Sequence, residues 1–529
     1  MHEPELLLLV LMVAIGTLSV LAGVVRVPYP IMLVLGGLVL GFVPGVPRFE
    51  LQPALVLVLF LPPLLYYEAF FSSPRELRSD ARAITLLAVG LVLATMSVVA
   101  VAVHALVGGL SWAAAFTLGA IVSPTDPLAA TAIARRLGAP RRLVNVLEGE
   151  SLVNDATALV AYRIAVAAAV GGSFVVWEAG LRFVAGVAGG VAIGLLVGWL
   201  VAEVRRRIED PPVEIVLSVV TGYAAYLPAE RLGVSAVVAA VTAGLYLGWR
   251  APELASPGTR LLGFSFWEVL VYLLNALLFI LVGLQLHPIL RQVHGSSSSV
   301  AALVGQAALA SAVVIAVRIA WGFSVPYLVR ALDRRPAQRA RRVGPRERLV
   351  VGWSGMRGAV SLAAALALPF TTRTGQGFPQ RDRLIFVTFG VILATLVPQG
   401  LTLPWLIRRL GLDQDDSEAQ EELRGRLRAT DAALARLEEL ADEDWTRDDT
   451  VERMRGLYQF RRRRLTARAG YLEDDGYQDR SLAYQRLVRE LLEAQRREIV
   501  RLRNQGEISN EVMHRIERDL DLEDARLEI

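Results

Sequence analysis

The sequence contains no cysteine, and all 55 of its basic residues are arginine. Without cysteine the chain cannot form a disulfide or a thiolate metal site. It also shows no nucleophile paired with a base, no phosphate-binding loop and no cluster of metal-ligating residues. Nothing in the sequence therefore supports an enzyme, a bound cofactor or a nucleic-acid partner.

Apolar residues dominate what is there. Hydrophobic residues make up 54% of the 529 residues, and the mean hydropathy is +0.46. Apolar runs recur from the first residues to about residue 410, which is typical of a polytopic membrane protein. The first run has no basic segment before it and no small-residue cleavage site after it, so we expect a first span and not a removable signal.

Charge divides the chain into two parts. From Leu412 onward there are 22 arginines and 30 acidic residues, a net charge of 22 − 30 = −8. The remainder carries 55 − 22 = 33 basic and 51 − 30 = 21 acidic residues, a net charge of +12. We therefore predict a transmembrane domain over residues 1–411 and a charged, helical, regulatory tail over residues 412–529. Within the tail, helices are expected at 417–440, 450–470 and 481–505.

The apolar runs and their punctuation predict thirteen spans. These are residues 5–25, 29–46, 51–71, 83–107, 111–134, 142–170, 174–203, 213–228, 233–249, 263–290, 299–330, 347–369 and 383–409. Alternate loops are rich in arginine, and the positive-inside rule places those loops in the cytoplasm. The N-terminus is then expected outside the cell and the tail inside it. Many spans are rich in glycine, alanine and serine, which indicates close helix packing.

Two of these spans are interrupted. The fifth contains SPTDP (123–127), in which two prolines disfavour a continuous helix, and the twelfth contains GWSGMRG (352–358), with three glycines and an arginine. If spans 1–6 and 8–13 form two halves around a linking seventh, both interruptions fall in the fifth span of their half. Broken segments at matched positions of two inverted halves indicate a transporter's binding site near the middle of the membrane.

The sixth span carries EGESLVND (148–155), a polar octet in an apolar helix. Ionisable residues at that depth are expensive and indicate function. Residues four apart share a helix face, so Glu150 lies with Asn154, and Ser151 lies with Asp155. Oxygen ligands of these types suit Na⁺, and Thr125 in the broken fifth span is expected to complete the site with Asp155 and Ser151.

Charge balance separates the roles of the carboxylates. We expect Glu150 to be held ionised and inert by a buried ion pair with Arg357 of the twelfth span. Asp155 is then the carboxylate that exchanges one H⁺ for one Na⁺. Burial disfavours its charged form and nearby positive charge favours it, so transport should depend on pH. Two further arginines lie within spans, Arg163 and Arg318. Each is either a second internal counter-charge or a packing or interfacial residue, and we favour the latter.

Three more acidic residues have open roles. Glu68, near the end of the third span, is either an additional ligand or an interfacial residue. Asp126 either supports the broken helix by neutralising the N-termini of half-helices or joins the ligands. Glu148 is expected near the mouth of the site.

Three motifs resemble the monovalent cation:proton antiporter-1 family, the bacterial sodium/proton antiporters related to animal sodium/proton exchangers. They are SPTDPLAATAI (123–133), EGESLVNDATALV (148–160) and GWSGMRGAVSLAAALALP (352–369), and the resemblance covers about residues 5–410. It implies an all-helical inverted-repeat fold with two broken, crossing helices. It also implies a homodimer, in which a mobile core domain moves against a dimerisation domain.

The resemblance implies roles for individual residues as well. The aspartate matching Asp155 binds Na⁺ or H⁺, with Ser151, the Thr125 region and the acid of the third span as ligands. The pair of Glu150 with Arg357 is implied too, and the Asn154-Asp155 sequence is similar to that of electroneutral members. In many members the third-span acid follows PPLL by two positions, whereas Glu68 comes one position later, about 100° further round a helix.

The leading hypothesis is thus a secondary antiporter in the bacterial inner membrane that exchanges Na⁺, or Li⁺, for H⁺ and serves pH homeostasis. K⁺/H⁺ exchange is the runner-up, because its ligands would be of the same types. A gated cation channel, or a transporter-derived sensor with the tail as its output, is a further alternative. A channel would need a continuous hydrated path, whereas this sequence indicates one buried, charge-balanced site.

Overall fold

The computed structural model describes residues 3–44, 56–106, 110–171, 176–294, 299–332, 343–373, 375–412, 417–468 and 477–527. Those residues are almost entirely helical, apart from a single antiparallel bridge between Thr371 and Gly377. They divide into two compact units, Met1–Asp415 and Asp416–Ile529. The predicted boundary at residue 411 lies four residues before this division.

The first unit is built from helices that follow the apolar runs of the sequence. In chain order they are α1 (Glu3–Val25), α2 (Tyr29–Leu40), α3 (Leu61–Phe71), α4 (Pro74–Thr85), α5 (Val92–Leu106), α6 (Trp112–Val122), α7 (Leu128–Arg136), α8 (Arg141–Gly171), α9 (Val176–Arg205), α10 (Pro211–Arg231), α11 (Ala236–Leu254), α12 (Pro257–Leu284), α13 (Leu286–His294), α14 (Val300–Leu332), α15 (Pro345–Trp353), α16 (Ala359–Leu366) and α17 (Arg381–Arg409). A π-helical turn, Val56–Phe60, leads into α3, and another, Leu86–Leu91, joins α4 to α5.

Each of the thirteen predicted segments coincides with one of these helices or with a pair of them, although residues 45–46, 51–55, 107 and 174–175 lie outside the described ranges. Within those ranges eight helical stretches are long and apolar enough to cross a membrane, and three shorter apolar helices accompany them. The number of crossings stays a prediction. Outward-facing apolar residues such as Val24 and Val216 are exposed, as expected for a surface that faces lipid.

The unit has two bundles of helices. One contains α2, α3 and α9–α12, and the other contains α4–α8 and α14–α17. Small residues bring helices together, as the sequence predicts. A Cβ added at Gly37 of α2 would lie 2.2 Å from the carbonyl oxygen of Ile280, and one added at Gly283 of α12 would lie 2.2 Å from that of Val34. The two backbones therefore touch where only glycine fits.

The described part of the second unit has four helices, α18 (Ser417–Ala441), α19 (Asp448–Arg468), α20 (Tyr477–Asn504) and α21 (Asn510–Leu527). The first three match predicted helices, whereas α21 was not predicted. Its apolar residues Val512, Met513, Ile516 and Leu520 follow helical spacing, a signal that was available in the sequence. Met513 and Leu520 pack with Leu492 and Ile499 of α20 in a small core.

Candidate ion-binding site

Both predicted interruptions are present, and they meet. The chain is non-helical between α6 and α7, at residues 123–127, and between α15 and α16, at residues 354–358. The backbone N–H of Asp126 donates to the carbonyl of Met356 over 2.8 Å, so the two unwound segments cross in direct contact. Each unwound segment separates two half-helices, and the backbone N–H and C=O groups at their ends need hydrogen-bond partners inside the bundle.

The side chain of an aspartate lies at the N-terminal ends of the two half-helices that follow the breaks. Asp126 Oδ1 accepts the backbone N–H of Leu128 at the start of α7, 3.0 Å away. A Cβ added at Gly358, just before α16, would lie only 1.8 Å from Asp126 Oδ2, so this carboxylate also lies against the start of α16. The structural interpretation of Asp126 fits this position, because a negative charge stabilises helix N-termini.

Two arginines donate hydrogen bonds at the C-terminal ends of the two half-helices that precede the breaks. Arg357 donates from Nε to the carbonyl of Val122, the last residue of α6, over 3.0 Å. Arg318 of α14 donates from Nε to the carbonyl of Val351 in the last turn of α15, over 3.1 Å. Both guanidinium groups are almost fully buried, at 1% and 2% exposure. The crossing is therefore balanced by a carboxylate at one pair of helix ends and by arginines at the other.

The buried ion pair of Glu150 is with Arg318, so the predicted pairing with Arg357 is wrong. Arg318 Nη1 and Nη2 lie 2.5 and 2.8 Å from the two carboxylate oxygens of Glu150. Arg357 instead donates to the carbonyls of Val122 and Gly355, and its backbone N–H donates to Thr395 Oγ1. Of the two roles that the sequence allows for Arg318, the structure therefore shows the internal counter-charge and not the packing residue that we favour.

Glu150 and Asn154 share a face of α8, as predicted, and both bind the broken helix. Thr125 Oγ1 donates to Glu150 Oε1 over 2.9 Å, and Asn154 Nδ2 donates to Thr125 Oγ1 and to its carbonyl oxygen over 2.8 and 3.3 Å. Asn154 was predicted as an ion ligand, but it does not line the cavity described next. It positions Thr125, because its amide is turned toward the unwound backbone.

Ser151 and Asp155 occupy the neighbouring face of α8 and line a small cavity of about 60 Å³ at the crossing. Thr125, Asp126 and Glu68 line it as well. Glu68 thus reaches the cavity despite its shifted position after PPLL. The Asp155 carboxylate makes no hydrogen bond or ion pair with any residue of the described ranges. It is therefore available to a proton or a metal ion.

Ser361 is a cavity residue that sequence reasoning missed. It lies in the first turn of α16, three residues after Gly358, and the available signal was a hydroxyl directly after the second break. Glu148 does not line the cavity; its carboxylate forms an ion pair with Arg135 over 2.7 Å. Arg163 pairs with Glu230 of α10, also over 2.7 Å.

Two broken helices that cross in the interior of a membrane protein, with an acidic cavity at the crossing, define a secondary transporter of cations. Comparison with known proteins gives the family. The profile of the transmembrane sodium/hydrogen exchanger family matches residues 8–409. The chain belongs to this family of multi-pass antiporters, which exchange sodium ions for protons.

Individual relatives agree with the family. An uncharacterized Na⁺/H⁺ exchanger of Mycobacterium tuberculosis is 38% identical over 520 residues, which cover 98% of this chain and 95% of the relative. A low-affinity Na⁺/H⁺ antiporter of Synechocystis sp. is 33% identical over 82% of this chain and 80% of its own length. The fold is similar to that of a sodium proton antiporter from Methanocaldococcus jannaschii, with a TM-score of 0.57 at 18% identity over 78% of this chain and all of that one.

Proposed function

We propose that Asp155 is the exchanging carboxylate of this antiporter and binds one Na⁺ or one H⁺ in turn. Ser151 and Thr125 supply neutral oxygen ligands for Na⁺, and Glu68 supplies a further carboxylate at the same cavity. Either cation neutralises Asp155, and only the neutralised site moves cheaply between the two sides of an apolar barrier. Competition for one carboxylate makes the exchange one-for-one and electroneutral.

The observation that carries this proposal is the charge of the cavity lining. Three carboxylates, those of Glu68, Asp126 and Asp155, line a space of about 60 Å³, and no arginine of the described residues lines it. Asp126 is already stabilised by the helix N-termini that it faces. The carboxylate of Asp155 is buried and that of Glu68 is half-buried, and carboxylates removed from water without a counter-charge need protons or metal cations to be stable. Glu150 lies a single helix face away but is already neutralised by Arg318, so it does not compete for the transported ion.

The family and the Synechocystis relative are named for sodium, which favours Na⁺ over K⁺ as the substrate. The narrow cavity favours alternating access over a channel, since a channel needs a continuous hydrated path. We also propose, on the resemblance of the sequence motifs, that the chain acts as a homodimer. The distribution of loop arginines supports an N-terminus outside the cell and a tail inside it.

The test is ion exchange by the purified chain in sealed vesicles that report internal pH with a dye. We expect Na⁺ to discharge an imposed proton gradient with the wild-type chain, and Asp155→Asn to abolish this response. Glu148→Gln is the matched control, because it makes the same chemical change on the same helix but outside the cavity, and it should exchange normally.

If the Asp155→Asn variant exchanges Na⁺ at the wild-type rate, the assignment of Asp155 as the exchanging carboxylate is refuted. A response to K⁺ as large as that to Na⁺ would refute the preference for sodium. Size-exclusion profiles of both variants should match that of the wild type, which separates loss of exchange from loss of folding.

A further inference from the structure

A second and larger cavity shares no described lining residue with the ion-binding cavity and lies mainly among α3 and α9–α12. Its volume is about 1080 Å³. It is enclosed by the ends of α3, α9, α10, α11 and α12 and by the start of α4. Those ends belong to the arginine-rich loops that the positive-inside rule places in the cytoplasm. The cavity therefore lies where the helices leave the membrane.

A buried arginine with unused donors lines this cavity. The side chain of Arg205, the last residue of α9, is only 3% exposed, and its Nη2 donates to Glu214 Oε2 over 3.1 Å. Its Nε and Nη1 are buried without a hydrogen-bond partner in the structure. Glu214 also has a second partner, because its other carboxylate oxygen accepts a hydrogen bond from Thr259 Oγ1 over 3.0 Å. Buried donors of this kind call for an acceptor, and a guanidinium favours an anion with several oxygens.

The rest of the lining fits an anion attached to an apolar body. Arg75, Arg78 and Arg260 also line the cavity and are exposed, whereas Glu214 is the single acidic residue among its described lining. The start of α4 faces the same space, and helix N-termini favour anions. Five aromatic residues form one wall of the cavity, namely Phe70, Phe71, Trp249, Phe264 and Trp267. Trp249 and Phe264 are 68% and 52% exposed, so this wall continues onto the outer surface of the bundle.

We propose that this cavity binds the phosphate-bearing head group of an anionic phospholipid. The phosphate accepts from Nε and Nη1 of Arg205, the three exposed arginines surround the rest of the head group, and the acyl chains lie along the aromatic wall. Basic pockets between transmembrane helices at the membrane surface are suited to such head groups. Free phosphate shares the charge but leaves the aromatic wall uncovered.

The test is thermal unfolding of the full chain in an uncharged detergent, with short-chain phosphatidylglycerol, phosphatidylcholine of the same chain length, or inorganic phosphate added. A ligand that binds the folded state raises the unfolding temperature with concentration. The informative variant is Arg205→Gln with Glu214→Gln, because removing both charges leaves no buried ion unpaired. Arg206→Gln is the matched control, since Arg206 is adjacent but does not line the cavity.

We expect phosphatidylglycerol to stabilise the wild type and the Arg206→Gln control. The double variant should need at least about tenfold more of this lipid for half of the effect, because it loses charge-assisted hydrogen bonds. If the double variant does not fold, Arg260→Gln provides a second test and should bind the lipid more weakly than the wild type. Equal stabilisation by phosphatidylcholine, an unchanged response in both cavity variants, or an equal effect of inorganic phosphate would overturn the proposal. None of these measurements depends on ion exchange.

Discussion

Two carboxylates five residues apart on α8 have different roles because their neighbours differ. Glu150 accepts from two nitrogens of Arg318 and from Thr125, so its charge is fixed by three hydrogen bonds. Asp155 lines a cavity and accepts from no residue in the described ranges. A satisfied buried ion pair is a static part of the structure, whereas a carboxylate without a partner is free to exchange its counter-ion.

The buried pair gives a prediction that also distinguishes the two candidate arginines. Glu150→Gln or Arg318→Gln alone should destabilise the chain by about 3–5 kcal/mol, because each leaves one buried charge uncompensated. Combining the two substitutions should recover most of the loss, since it leaves two neutral amides. Denaturation in detergent measures both effects.

The control combines Glu150→Gln with Arg357→Gln. Arg357 binds backbone carbonyls, so this combination should be no more stable than Glu150→Gln alone. Recovery by Arg357→Gln in place of Arg318→Gln would contradict the pairing seen in the structure.

At the scale of residues, the sequence predicts which side chains share a helix face, but it does not predict which partner each side chain contacts. Four-residue spacing places Ser151 with Asp155 and Glu150 with Asn154, because helix geometry is local. The partner of Glu150 depends on how α14 packs against α15, and Arg318 is 168 residues away in the chain. The contact of Asn154 with Thr125 was unpredictable for a similar reason, since an amide suits an ion and an unwound backbone equally well.

At the scale of elements, the two bundles are joined by an ion pair far from the arginine-rich loops. Arg163 lies toward the end of α8, and Glu230 lies at the end of α10 in the other bundle. The guanidinium contacts both carboxylate oxygens of Glu230, over 2.8 and 2.7 Å. Both side chains are about half exposed, so the pair contributes no more than about 1 kcal/mol. A weak link is compatible with bundles that separate during alternating access.

This position predicts that a covalent link there stops exchange. The chain has no cysteine, so Arg163→Cys with Glu230→Cys introduces the only two thiols. A short bifunctional thiol reagent should abolish Na⁺-driven proton movement in the double variant, and a cleavable reagent followed by reductant should restore it. Each single cysteine variant is the control and should keep its exchange after the same treatment. Undiminished exchange by a fully cross-linked double variant would show that these ends do not separate.

Helix positions were predictable because hydropathy and helix-breaking residues are properties of short segments. The breaks at SPTDP and GWSGMRG were located from proline and glycine alone, and both segments are unwound in the structure. Their direct contact could not be predicted at atomic detail. It depends on Gly358, where any side chain would overlap the Asp126 carboxylate, and that constraint exists only once the two helices cross.

At the scale of the whole molecule, the acidic tail is a separate unit, and surface ion pairs join its first two helices. Arg455 of α19 donates to both carboxylate oxygens of Glu438 of α18, over 2.7 and 2.8 Å. This hydrogen bonding lowers the pKa of Glu438 below its usual value. A lowered pKa contributes stability that is present above the unfolded value of about 4.3 and is lost only as the pH falls through the folded value. The link between α18 and α19 therefore does not change between about pH 5 and pH 9.

A prediction for truncation follows from this constancy. Because the ion pair of Glu438 with Arg455 does not change in the working range, the pH dependence of exchange is expected to arise in the membrane unit, from the carboxylates of the cavity. A chain that ends at Leu412 should then keep Na⁺/H⁺ exchange and the same pH midpoint as the full chain. Initial rates of dye response between pH 6 and pH 9, measured for both chains at equal protein density, make the comparison. A midpoint displaced by a full pH unit would contradict the prediction and would assign a pH sensor to the tail. An unchanged midpoint with an altered maximal rate would instead show that the tail responds to a regulatory signal other than protons.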